Sequence, residues 1–458
     1  MRAALSDAVP EPTPTPRGRK AARRWAVRAA VLAAAAFGLW LAAVPLATRR
    51  AESLLTARRP AAAAGWADFA HAIGGRSERL LLTRARARRH ARDIAGMNAA
   101  LTQAEASGAD PQRVRLEKIL AAASVGRLRE VEAELPRLLV DYPRDGRDVC
   151  EAFAGGYIAA YRVREAAPLL RAWREAYPDD PQAYLLQGRV DEHAGDWDSA
   201  ADLYEKALEV DPRYGPAAFN LARVHLNRND PAAALEHYRA AVASLADDTP
   251  AAVGEAQCLR RLGRLREAEA VLRGRPTAAT DASRRAFAAV GQSAEAAETA
   301  VAAERGHIAA AAGRTDEAAE HFAAAVAANP KDQSLRYVLA QTLSRLGRAE
   351  EAREHMDAYV RAREATAGLS ELLERVAARP GDADLRAEIG RTFLENLSEQ
   401  QGLIWLHSAL AHEPDHQAAN RALADYYAAR VDDTPKGRRN AERAAEHRAR
   451  LRGEQAEQ

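Results

Sequence analysis

One pattern recurs every 34 residues from Glu78 toward the C-terminus. In its clearest copy, Pro181 to Tyr214, the marks are Tyr184, Gly188, Gly195, Ala200, Tyr204, Ala207 and the pair Asp211-Pro212. Other copies start at Glu78, Gln112, Arg147, Gly215 and Thr249, with one extra residue before Arg147. After a 16-residue insert at 283–298 the phase resumes at Thr299 and Gln333, and after a second insert of equal length at 367–382 it resumes at Ala383 and Gln417. A fixed period of this length constrains the fold to units that cover one another's apolar faces in a row, which is a solenoid.

Each unit reads as two short helices. In the first, a small residue (Ala154, Gly188, Ala222, Ala256, Gly306, Ala340, Gly390, Ala424) marks where a neighbouring helix must approach closely. A turn such as Ala194-Gly195-Asp196 or Leu346-Gly347-Arg348 follows, where glycine takes the left-handed conformation that ends a helix. In the second helix Ala200, Tyr204 and Ala207 fall four and three residues apart, as do Ala318, Phe322 and Ala325, so they form one apolar stripe. Pro178, Pro212, Pro330 and Pro414 then stop the helix, because proline lacks an N–H and forces its predecessor into an extended conformation. The units at Glu78 and Gln112 carry Leu101 and Leu135 in place of the large aromatic, and the last unit has Pro435 and Gly437 where its second helix should begin, followed by a basic capping helix from about Asn440.

These residues resemble the tetratricopeptide repeat family, over roughly Glu78 to Leu451. The resemblance implies an all-α fold, a right-handed α-solenoid of helix pairs, here preceded by a single transmembrane helix read from the N-terminal sequence. It also implies binding of a protein or peptide partner along a concave surface lined by the first helices. Carried onto this chain, that surface holds Arg189 and His193, then Phe219, Asn220, Arg223 and Asn227, then Arg260 and Arg261, and farther on Arg345 and Arg391. The repeated arginine suits paired hydrogen bonds to carboxylates, so an acidic partner is the sharper expectation; the plainer one is that arginine is abundant and some copies face inward by chance. Phe219 reads either as an aromatic anchor or as core, and Asn220 either as a ligand to a bound backbone or as a local cap.

Ala29 to Ala47 is an unbroken apolar run of 19 residues, close to the roughly 20 that cross a bilayer as a helix. The basic block Arg17, Arg19, Lys20, Arg23, Arg24 and Arg28 precedes it, which favours an inside N-terminus. The expectation is a bacterial inner-membrane protein with a cytoplasmic tail and periplasmic repeats; a cleaved signal is the competing reading, disfavoured because Pro45 or Leu41 would sit three residues before the cut. Residues 48–77 read as a degenerate first repeat. Arg84, Arg86, Arg88, Arg89 and Arg92 then form a basic stretch, read as a solvated face or as a patch near the membrane.

Chemistry is expected to be absent. Lys and Arg number 66 against 64 Asp and Glu, so no basic field for nucleic acid builds up. Cys150 and Cys258 lie too far apart along the array to bridge and read as buried thiols. His412-Glu413-Pro414-Asp415-His416 spells a zinc-protease string, but Pro414 should break the helix on which two such histidines would converge. No phosphate loop or nucleophile elbow occurs, and neither cofactor, metal, small-molecule substrate nor enzymatic activity is expected. The function expected is that of an interaction scaffold, with an accessory subunit of an envelope enzyme or a soluble exported repeat protein as the other readings.

Overall fold

The computed structural model describes residues 42–451 apart from 161 and 246, and among these every regular element is a helix. The chain divides into two compact units, one ending at Glu117 and one beginning at Lys118. The first holds α1 (residues 42–56), α2 (Pro60–Ala72), α3 (Glu78–His90), α4 (Ile94–Ala106) and the start of α5 (Pro111–Ser124). The second continues with α6 (Leu135–Asp141), α7 (Gly146–Ala159), α8 (Val163–Ala176), α9 (Pro181–His193), α10 (Trp197–Val210), α11 (Gly215–Asn227), α12 (Pro231–Ser244), α13 (Thr249–Arg261) and α14 (Leu265–Leu272). Then come α15 (Asp281–Ala289), α16 (Ala294–Ala311), α17 (Thr315–Ala328), α18 (Gln333–Arg345), α19 (Ala349–Ala365), α20 (Leu369–Ala378), α21 (Ala383–Asn396), α22 (Glu399–His412), α23 (Gln417–Ala428) and α24 (Pro435–Leu451).

Local chemistry sets the helix ends. Asp196, Asp230, Asp332 and Asp382 each accept a hydrogen bond from a backbone N–H in the first turn that follows them, satisfying one of the orphan donors there. Gly195, Gly263, Gly313 and Gly347 close the first helices at φ between 75° and 80°. The small residues of the first helices do sit under the aromatics of the second: a methyl group on Gly188 would stand 2.6 Å from the Tyr204 ring, and one on Gly306 2.7 Å from Phe322. Tyr204 and Phe322 are fully buried as a result, each in a cluster that joins its own hairpin to the first helix of the next.

Three stretches differ from expectation. The second half of the unit at Gln112 is two 3-10 turns, Leu128–Glu130 and Glu132–Glu134, followed by the seven-residue α6, because Pro136 cannot donate from the middle of a longer helix. The final helix starts at Pro435 rather than near Asn440, since proline is tolerated in a first turn, where its missing N–H would have no partner anyway. The inserts are helical too: α15 (Asp281–Ala289) runs into the first half of the first, and α16 begins five residues before Thr299. In the second, α20 lays Leu372 and Val376 against Leu385, Ile389 and Trp405.

The α15–α16 segment completes a repeat that its own sequence leaves short. Since α14 has only eight residues, the Arg305 guanidinium donates to the Leu272 and Arg275 carbonyls at 2.7 and 2.8 Å, taking the place of the missing helical turn. Val290 and Ile308 close the cluster under α13.

In the first unit the arginine stretch of α3 turns inward to carboxylates instead of to solvent. Arg86 and Arg89 both donate to Glu117, at 2.9 and 3.0 Å, and Arg89 and Glu117 are buried. Arg84 and Arg88 hold Asp68. The apolar run Ala29 to Ala47 lies outside the described residues except for 42–47, and among the described residues no helix is long and apolar enough to cross a membrane.

Candidate partner-binding surface

Two register positions organise the residues singled out on the first helices. Arg189, Arg223 and Arg391 share one; His193, Asn227, Arg261 and Arg345 share another, four residues further on. The second set is the last residue of α9, α11, α13 and α18 respectively, and all four are exposed. A helix C-terminus carries partial negative charge and tolerates a polar or cationic side chain well. Successive repeats therefore present a polar ladder with steps of 34 residues at His193, Asn227 and Arg261. Arg261 also reaches back to the Leu226 carbonyl of the preceding repeat, at 3.3 Å.

The first set is mostly engaged within the fold. Arg223 donates to Glu192 at 3.3 Å and to Asn220 at 2.9 Å. Arg189 lies against the turn between α15 and α16, where a methyl group on Gly291 would come within 2.9 Å of its guanidinium carbon. Arg391 is exposed and only loosely paired, 3.9 Å from Glu395.

Arg260, one residue before the exposed Arg261, grips Glu304 of α16 with two hydrogen bonds of 2.6 and 3.2 Å. Glu304 is buried, and burial pushes its carboxyl above the usual range against the opposing pull of Arg260. Phe219 packs edge-to-face on Tyr238, centroids 5.5 Å apart, inside the core. Asn220 is fully buried and bonds the Pro216 carbonyl at 2.8 Å. Phe219 thus packs in the core, and the Asn220 amide bonds back within its own helix instead of capping a turn.

Sequence reasoning named the arginines but missed what they meet. Glu304 and Gly291 fall where an insert joins a repeat, so their register with α13 and α9 was not readable from a period of 34. It also missed His307, which occupies the Arg189 register in its own repeat and packs edge-to-face on Phe322 at 4.9 Å. Burial, aided by Arg260, pushes His307 down to about 4, and burial with Arg450 and Arg443 does the same to His447. Both imidazoles stay neutral in the fold while an unfolded histidine protonates near 6.5, so stability is full above that pH and falls as pH drops toward 4. Unfolding free energies at pH 7 and pH 5 should differ by about 2 kcal/mol for the buried His447 alone, and His447→Gln should flatten that dependence.

The zinc-protease string is divided between two helices. His412 ends α22, while His416 caps α23, its Nδ1 accepting the Ala419 N–H at 3.2 Å and its Nε2 lying 2.9 Å from Asp384. Cys150 and Cys258 are both free and buried, and burial pushes their thiols up to about 11 and about 12.

The second unit also bonds to itself over long sequence distances. Arg129 donates to the Leu410 carbonyl, Arg164 to Ala377 at 3.1 Å, and Lys331 to Leu394 at 2.6 Å. Glu295 accepts from the Ser398 hydroxyl and the Gln400 N–H at 2.8 and 3.0 Å. The α20–α22 segment is thus stitched to residues 129 and 164 near the start of the unit and to two points in its middle.

Hairpins of this geometry, joined core to core with a helix-end ladder, define a helical repeat protein of the solenoid class. Profiles described as tetratricopeptide repeat match residues 193–236 and 309–376, and a second such profile matches 219–280. These stretches of the chain are tetratricopeptide repeats. No curated protein matches it. Among solved structures it is similar to PilW, described as a widely conserved type IV pilus biogenesis factor, at 18% identity over 46% of this chain and 90% of that one, with a TM-score of 0.38. It is also similar to the Cut9-Hcn1 hetero-tetramer of APC/C, at 15% identity over 83% and 76% with a TM-score of 0.42. A third is a thermophilic repeat protein of Thermus thermophilus, at 22% identity over 47% and 99% with a TM-score of 0.30.

Proposed function

We propose that this chain is a membrane-anchored scaffold that binds a protein or peptide partner on the first-helix side of its repeats. The observation that carries the reading is the ladder of exposed helix-terminal residues, His193, Asn227 and Arg261, continued by Arg345. Proteins of this repeat family are in general interaction scaffolds, and recognition without turnover suits a chain whose motifs supply no nucleophile and base pair. An acidic segment fits best, because Arg261, Arg345 and Arg391 are among the cations this side exposes and arginine takes carboxylates in paired hydrogen bonds. The apolar run 29–47 serves as the anchor, with the basic N-terminal tail in the cytoplasm and the repeats in the periplasm of a bacterial cell.

The test is affinity for a partner captured by the intact, membrane-extracted chain. Reversing charge with Arg261→Glu and Arg345→Glu should weaken binding tenfold or more, since each charge-assisted hydrogen bond is worth about 1.5–3 kcal/mol. The melting temperature should not move. Unchanged affinity in the double variant would refute the ladder as the binding surface, and release of the intact chain from carbonate-washed membranes would refute the anchor.

A further inference from the structure

The first unit carries an apolar stripe that its own fold leaves open. On α2, Ala63, Ala67 and Ala70 are buried against neighbouring helices, while Trp66 and Phe69 on another face are 43% and 49% exposed. Their rings meet edge-to-face at 6.0 Å. Ala62 and the half-buried Ile73 extend the stripe at helical spacing. Two exposed aromatics side by side on an alanine-rich helix call for a covering surface.

Position on the chain says what that surface is. Helix α2 turns back along α1, so that Ala67 and Ala70 pack with Ala47, Ala51 and Val44. A methyl group on Gly75, just past α2, would stand 2.8 Å from Val44. The end of α2 that bears Phe69 and Ile73 therefore lies level with residues 44–47, where the 19-residue apolar run finishes. Trp66 is one helical step behind, about 4.5 Å along the axis. That is the depth of a bilayer's headgroup layer if the run crosses the hydrocarbon, and it is the layer in which tryptophan and other amphipathic rings collect.

The charges agree. Glu52 is held by Arg79 and Asp68 by Arg84 and Arg88, while the exposed Glu78 accepts the Asp110 N–H. Arg49, Arg50 and Arg76 are exposed beside them. The solvent-facing charge around the stripe is cationic, as it is around helices that lie on anionic lipid.

We propose that the Trp66–Phe69 face of α2 lies in the headgroup layer of an anionic bilayer, clamped to the exit of the spanning segment. This rests on the reading of 29–47 as a membrane anchor. It adds that α1 to α3 stand on the membrane surface in a fixed orientation, held by ring insertion on one side and by Arg49, Arg50 and Arg76 on phosphates.

The experiment uses the full chain with Cys150→Ala and Cys258→Ala, reconstituted into vesicles of phosphatidylglycerol and phosphatidylethanolamine. Spin labels are placed at Phe69→Cys, at Trp66→Cys as a second site, and at Asn98→Cys on the exposed side of α4 as the reference, with circular dichroism to show that each variant is folded. Labels at 69 and 66 should collide with oxygen and lose most of their collisions with a water-soluble nickel chelate, whereas the label at 98 keeps them. Nickel access at 69 and 66 equal to that at 98, in vesicles that retain the protein through a carbonate wash, would overturn the proposal while sparing the anchor. Loss of the protein in that wash would remove the anchor and this inference together. Spin–spin broadening at 69 that vanishes on dilution with unlabelled chain would assign the face to a second copy instead, and would equally overturn it.

Discussion

Replacing Arg260 with alanine should destabilise the second unit by about 3–5 kcal/mol, the usual consequence of stranding one member of a buried ion pair. Arg260 is the two-point partner of Glu304, whose side chain has 6% of its surface left to water. Removing the guanidinium leaves that carboxylate to be protonated or to drag water between α13 and α16. Arg261→Ala, one residue along the same helix, removes only a long bond to the Leu226 carbonyl and should change stability by about 0.5 kcal/mol or less. Hydrogen exchange in α13 and α16 is the suitable readout, because arrays of repeats need not unfold in one step. The double change Arg260→Met with Glu304→Leu should recover most of the loss, as apolar replacement of whole buried pairs commonly does. A partner-binding assay on Arg260→Ala alone would confuse this collapse with lost recognition.

Asn420→Leu should be nearly as damaging at the other end of the unit. Asn420 is fully buried, donates to the Pro414 and His416 carbonyls at 2.9 and 3.2 Å, and faces the Nδ1 of His447 at 2.9 Å. Leucine fills the space but leaves the buried His447 imidazole N–H without its acceptor, costing about 1–3 kcal/mol. His447 lies parallel to the Tyr427 ring, so the loss would spread into the contact between α23 and α24. Exchange protection of α24 should fall first, with α9 to α12 unaffected. Equal protection in α24 of Asn420→Leu and the parent chain would mean that the polar cluster does not hold the terminal cap.

Both sites show where sequence reading stops. The helical hairpins were legible because each depends on neighbours within one or two periods: Gly188 under Tyr204, Asp196 capping α10, Gly195 closing α9. Partners that lie across an insert or across the array were not. Arg260 and Glu304 are 44 residues apart, and Arg129 and Leu410 are 281 apart, separations that no repeat period predicts. The same limit explains why the arginines looked alike in sequence. Arg260 and Arg261 are adjacent letters, but the helix turns them about 100° apart, one toward α16 and one toward water. The inserts misled for a related reason: interrupting the period hid that α15 and α16 complete the short α14.

The recognition proposed for this chain turns on the distinction between structural and solvent-facing positions on the first helices. It is tested most directly by site-specific photocrosslinking in the intact chain, with the probe placed in turn at Asn227, Arg261 and Arg345 and, for comparison, at Glu236 and Glu320, which are exposed on second helices. One partner should be captured from the first three positions and lost when an acidic peptide is added in excess. Capture from Glu236 and Glu320 with none from Asn227, Arg261 or Arg345 would contradict a first-helix binding surface.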